Sequence, residues 1–329
     1  MKKYFVSKKD SNIAFALTVG AMIAASFVAV GVVMAYNTAT GKEMAGIWPS
    51  LIFAQAAVLL AGGSFVLVRK ISIKEVIGLK RVPVGIVTQQ PFAINVLLQI
   101  LNVFLLALLS MSLIVFAYPI LSGFALLLDR LGYIAPPDPF QGIAMGGLEW
   151  AGLVVFGCIA PAIGEELIFR GIVLEGYRKK NIDFGAIVIS AALFMLMHMN
   201  IEQMIHPFML GLAFGFVYCV TRSIWSTVLL HFFNNLFALV ISAIDEKGAA
   251  AVSFFDGKWW LMFPALAVAA AVLFYIWKTR DKTEYLVPLE KTYPQGSGRV
   301  LLMVASVVIC VFMLIFSAFA GLLGQLFNL

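Results

Sequence analysis

Long uncharged runs broken by short charged clusters make up most of this chain. Such runs occupy Ile13 to Tyr36, Met44 to Val68, Val82 to Leu128, Phe184 to Ile201, Gln203 to Thr221, Ser223 to Ile244, Trp259 to Trp277 and Val300 to Leu329. About 20 apolar residues cross a bilayer, and an open backbone there must satisfy its own polar groups, so runs of this length predict membrane-spanning helices. The expected fold is all-α: a polytopic integral membrane bundle of about eight or nine transmembrane helices. Val82 to Leu128 exceeds one crossing and is expected as one span plus an interfacial or kinked piece around Pro119. The first run has no small-residue cleavage site after a short apolar stretch, so it is expected as a retained span and not a removed signal peptide.

Composition agrees: 62% of residues are hydrophobic and 12% are charged, which excludes a soluble globular protein. A net charge of +6 raises nucleic acid as a partner. The positions of the charges remove it. Lys2, Lys3, Lys8 and Lys9 precede the first run; Arg69, Lys70, Lys74, Lys80 and Arg81 follow the second; Arg178, Lys179 and Lys180 follow the segment around Arg170. Alternation then adds Arg222, Lys278, Arg280, Lys282, Lys291 and Arg299 to that side, leaving Lys42, Arg130, Lys247 and Lys258 on the other. The positive-inside rule makes the first side cytoplasmic, with the N-terminus, and the bias requires nine crossings. Membrane lipids, and no nucleic acid, are the expected surroundings. Cys158, Cys219 and Cys310 lie in apolar runs with no CxxC spacing, so neither a disulfide framework nor a thiolate metal site is expected. The longest polar connection, Lys278 to Arg299, is a loop that leaves no room for a soluble domain, and no internal repeat is visible.

Against this background the stretch "APAIGEELIFRGIVLEGYRKKN", Ala160 to Asn181, places Glu165, Glu166 and Arg170 within membrane-grade sequence. At about 2.5 to 3.5 kcal/mol per charge near a helix centre, the three would cost about 8 to 10 kcal/mol unpaired. They must pair, line a watery cavity or be partly neutral. Two further patterns also join residues four apart, which share a helix face: Phe194 with His198, and His231 with Asn235. Measured from the basic clusters at about 1.5 Å per residue, Glu165, His198, His231 and Asn235 lie roughly 20, 22, 14 and 20 Å deep in a core of about 30 Å. All four can meet near mid-membrane.

Structural readings compete with this one. Glu166 and Arg170 form an ion pair at helical spacing. Adjacent glutamates point about 100° apart, so Arg170 cannot serve both, and Glu165 needs another purpose. His198 and His231 are functional candidates that could also serve as interhelical hydrogen-bond partners, as could Asn235 and Asn234. His206, followed by Pro207, is expected at the outer interface, and Glu149 is expected to be wetted there; Gly164 and Gly171 are expected to let helices approach closely.

The three patterns together resemble the type II CAAX prenyl proteases and their bacterial relatives, the CAAX protease and bacteriocin-processing group of intramembrane glutamic endopeptidases. The resemblance covers roughly Gly157 to Ala238, about a quarter of the chain, and rests on Glu165, Glu166 and Arg170; Phe194 and His198; and His231 and Asn235. It implies hydrolysis of a peptide bond in a membrane-associated or lipidated peptide or protein. Glu165 and His198 would activate water, His231 and Asn235 would stabilise the oxyanion, Glu166 with Arg170 would orient Glu165, and Phe194 would support the site. No cofactor or metal is implied. The chain then reads as one membrane domain over 1–329, with accessory spans in 1–145 and 246–329 and a catalytic core of four helices in 146–245. Three other readings stay open: a zinc-dependent membrane protease, although HExxH is absent; a proton-coupled transporter, which repeat-related broken helices would favour; and a non-catalytic immunity or scaffolding protein.

Overall fold

A computed structural model describes residues 6–44, 47–71, 92–134, 147–245, 255, 257–280 and 300–327. Among these residues nine principal helices follow one another: α1 (Lys8–Thr40), α2 (Ile47–Val68), α3 (Phe92–Arg130), α4 (Gly147–Tyr177), α5 (Phe184–Met197), α6 (Ile205–Thr221), α7 (Ile224–Asp245), α8 (Met262–Thr279) and α9 (Val300–Phe327). The fold is all-helical, and seven of the helices are long and apolar enough to cross a membrane, with mean hydropathies from 1.7 to 3.0. This is a polytopic helical membrane protein. The exceptions are α5 and α6, of 14 and 17 residues, about 21 and 26 Å long against a hydrocarbon core of about 30 Å.

Two expectations are refined. The run from Val82 begins outside the described residues, but from Phe92 to Arg130 it is a single 39-residue helix that passes through Pro119, not a span followed by a separate interfacial piece. The apolar run that starts at Phe184 does not stay helical to Ile201. Helix α5 stops at Met197, and Met199 takes a left-handed conformation with φ 50° that redirects the chain. The connection 198–204 therefore enters the bundle as irregular backbone, a state tolerated at membrane depth only where it lines a cavity or is buried in protein.

Helices α4 to α7 form the centre. Helices α1, α2 and α9 pack on the α4 and α5 side, and α3 and α8 on the α6 and α7 side. Side-chain size controls two of the closest approaches. A Cβ on Gly176 would come within 2.6 Å of the Ser7 carbonyl oxygen, so the N-terminal end of α1 can sit on α4 only because Gly176 has no side chain. Likewise a Cβ on Gly211 would lie 2.8 Å from the Ala191 Cα, which lets α6 cross α5 almost backbone to backbone. Of the two glycines expected to play this part, Gly164 does meet α2 at Val58 and Leu59, and Gly171 is buried.

One end of the bundle gathers the basic clusters. Ser7 caps α1 in a reciprocal arrangement with Asp10, whose buried carboxylate also pairs with Arg69 at the end of α2. Glu175 near the end of α4 is buried and bridges Arg178, at 2.9 Å, and Arg222, which follows α6. Arg69, Arg178 and Arg222, which alternation assigns to one side, thus lie at one end of the bundle. Lys2, Lys3, Lys74, Lys80, Arg81, Lys247, Lys282, Lys291 and Arg299 fall outside the described residues.

Candidate active site

The site is organised by α4, which is not a uniform α-helix. Two π-helical stretches, Val154–Ile159 and Leu167–Leu174, flank the α-helical segment Ala160–Glu166 that carries both glutamates. Wider turns leave carbonyls displaced from the regular ladder, and other helices take them up. Asn235 on α7 donates through Nδ2 to the Gly157 oxygen at 3.1 Å. The Ser190 hydroxyl on α5 donates to Phe169 O at 2.9 Å, and the Ser11 hydroxyl on α1 bonds Ile172 O at 3.0 Å and Val173 O at 3.2 Å. Such π-bulges concentrate at functional sites because they re-aim the side chains on either side.

The two glutamates take different environments. Glu166 is sealed in protein: its Oε1 accepts from Arg170 Nη1 at 2.7 Å and lies 3.0 Å from His231 Nδ1. Arg170 is fully buried, reaches the Gly211 carbonyl at 3.4 Å, and lies against the rings of Phe194 and Phe214, its Cζ 4.8 and 5.2 Å from their centroids. Two aromatic faces and a carboxylate compensate a guanidinium that water cannot reach. Glu165 instead lines a cavity of about 700 Å³.

His198, His231 and Asn235 line the same cavity. His198 Nδ1 lies 2.9 Å from the Phe194 carbonyl oxygen, so that nitrogen donates, and in the neutral ring Nε2 keeps its lone pair. His231 stands between the glutamates, with Nδ1 on Glu166 and Nε2 3.8 Å from Glu165 Oε2. The Phe194 ring meets both imidazoles edge-on, at 5.1 Å from His198 and 6.0 Å from His231. One of the two Asn235 amide hydrogens is engaged by Gly157, which leaves the second for the cavity. Among the described residues no group of three or more His, Cys, Asp or Glu side chains is placed to hold a metal ion.

Several residues of this site escape a reading of the sequence. His206, expected at the outer interface, lines the cavity with the other two imidazoles from the first turn of α6. Asn234, read as a helix contact, is buried at the cavity wall with its Oδ1 unbonded. Phe214, Gln55 and Glu202 carry no spacing that marks them. Glu149 is exposed, as expected.

Residues 147–237 match the family model described as type II CAAX prenyl endopeptidase Rce1-like. This segment is similar to that family. The matched segment contains every residue of the three patterns, from Glu165 to Asn235. A Bacillus subtilis (strain 168) protein named "Putative membrane peptidase YdiL" is 28% identical over 89 residues, which cover 27% of this chain and 36% of that protein. The chain thus matches little more than a third of the length of this curated relative. No solved structure matches the chain.

Proposed function

We propose that the chain is an intramembrane endopeptidase that hydrolyses a peptide bond of a membrane-associated or lipidated substrate with water activated by Glu165 and His198. The observation that carries this reading is the convergence of Glu165, His198, His231 and Asn235, from three helices, on one cavity. Glu165 is the glutamate that does not pair with Arg170, and a neutral His198 has an acceptor at Nε2; both can take a proton from water. Asn235 offers its remaining amide hydrogen to the oxyanion. His231 can do so only when it carries both protons, because Nδ1 already donates to Glu166. Glu165, 3.8 Å from His231 Nε2, is the group placed to pass it the proton taken from water. That same proton then serves the leaving amine. Glu166 and Arg170 position His231 and take no part in the bond changes.

No metal is needed for this scheme, since carboxylate and imidazole suffice to activate water. Purified protein is therefore expected to cut a membrane-embedded reporter peptide at an undiminished rate after exhaustive chelation, with elemental analysis giving well under one zinc per chain. Stoichiometric zinc whose removal abolishes cleavage would replace this mechanism with that of a zinc protease. Intact protein that cuts no peptide in a diverse pool would point to a binding or scaffolding role instead.

The orientation proposed places the N-terminus and the Arg178 to Lys180 connection in the cytoplasm. Lys9 and Lys179 are exposed, and the contact of Ser7 with Gly176 puts them at the same end of the bundle. Cysteines substituted at Lys9 and Lys179 are expected to resist an impermeant thiol reagent in intact cells and to react after permeabilisation. Labelling of either in intact cells would invert the assignment.

A further inference from the structure

The α5–α6 connection supplies the cavity with polar groups that no motif claims: Glu202 and Gln203 line it just before His206. Glu202 is not left to wander. The Tyr133 side chain, just after α3, interacts with its carboxylate, and Ser317 on α9 interacts with the same phenol. Tyr133 is itself buried, and the Asn200 side chain accepts from the Glu202 backbone N–H at 2.9 Å, closing the turn. Three elements distant in sequence thus converge on one carboxylate at the cavity wall.

Its surroundings lack what a carboxylate most needs. No cation among the described residues acts on the Glu202 carboxylate. No lysine or arginine among the described residues lines the cavity, and Arg170 is closed off behind Glu166 and Phe194. The remaining ionisable wall consists of Glu165, three histidines and the Cys158 thiol. Such a cavity repels a free carboxylate and has an oriented, uncompensated anion for a positive group.

Resting on the peptidase reading above, we propose that Glu202 is a specificity residue that receives a cationic group of the substrate, an ammonium or guanidinium, beside the scissile bond. The cation is a Lys or Arg side chain or a free N-terminal amine. Tyr133 positions the carboxylate without touching the substrate. Glutamine at position 202 preserves size and can still bond the phenol, so folding should be retained.

The test uses the purified full chain in lipid vesicles and matched peptides that differ at one position, lysine, norleucine or glutamate, each with a free or an acetylated N-terminus. Wild type is expected to cut the cationic peptides with a kcat/KM about tenfold or more above their neutral counterparts, a hydrogen-bonded charge being lost in the latter. Glu202→Gln should remove that advantage while leaving cleavage of the norleucine peptide unchanged, and Glu202→Lys should favour the glutamate peptide. If lysine matters only on acetylated peptides, the cation is a side chain; if acetylation alone abolishes the preference, it is the terminal amine. Equal preference in wild type and Glu202→Gln would overturn the assignment. Failure of the peptidase reading looks different: no peptide shows Glu165-dependent cleavage. In that event, fluorescence anisotropy on Glu165→Gln protein, with and without Glu202→Gln, decides the inference: tighter binding of the lysine peptide that depends on Glu202 upholds it, and equal binding of both peptides ends it.

Discussion

Glu165→Gln is expected to lower peptide cleavage by about 100-fold to 10,000-fold, the range contributed by a positioned general base, with thermal melting close to wild type. Glutamine fills the same space at the cavity wall, so the segment Ala160–Glu166 and its packing against α2 should be undisturbed. Glu165 also forms no ion pair with Arg170, whose nearer carboxylate is Glu166 at 2.7 Å. What disappears is the acceptor for the water proton and, with it, the group 3.8 Å from His231 Nε2. Cleavage and melting measured on the same preparation separate chemistry from folding. A wild-type cleavage rate would show that Glu165 is not the base, and a collapse in melting would make it a structural residue.

Arg170→Ala should fail in the opposite way. The substitution leaves Glu166 buried with its Oε1 facing only His231, empties the space between Phe194 and Phe214, and frees the Gly211 carbonyl. Removing one partner of a buried pair typically costs about 3 to 5 kcal/mol, much of it from the stranded charge. Lower yield and lower melting temperature are therefore expected alongside lost activity. The double variant Arg170→Met with Glu166→Leu replaces both charges by apolar groups and is expected to recover much of the melting temperature. It should remain inactive, because His231 Nδ1 then has no carboxylate to orient it. If the double variant melts no better than Arg170→Ala, the stranded carboxylate is not the cause of the instability.

These two outcomes follow from a division of labour that was only half visible in the chain. Adjacent glutamates on a helix point in different directions, so one arginine four residues on can satisfy one of them, and Glu166 takes that place while Glu165 turns to the cavity. Spacing sufficed there because the interaction is local. Glu175 and Arg178, three apart on the end of α4, also pair locally, whereas the second partner of Glu175, Arg222, lies 47 residues on.

Where helical regularity fails, the sequence offers little warning. An α-helical reading of α4 misses both π-helical stretches, since their displaced carbonyls are stabilised by Asn235, Ser190 and Ser11 from other helices. Asn235 consequently has a structural bond as well as the oxyanion role proposed for it. His206 and Glu202 were illegible for a related reason. An apolar run continuing to Ile201 suggests a full span, yet the left-handed Met199 ends α5 early and draws the connection into the cavity.

By itself, then, the sequence determined that this chain lives in a membrane as a bundle of helices, because hydropathy over about 20 residues is a property of each segment alone. It also determined which charged residues had to be accounted for, because their desolvation is too costly to go uncompensated. Only the tertiary structure decided how they are compensated: which glutamate is sealed and which faces the cavity, that His231 stands between them, and that Glu202 lines the same space. Those outcomes depend on which helix faces meet, and small contacts such as Gly211 against Ala191 and Gly176 against Ser7 control how closely the helices approach.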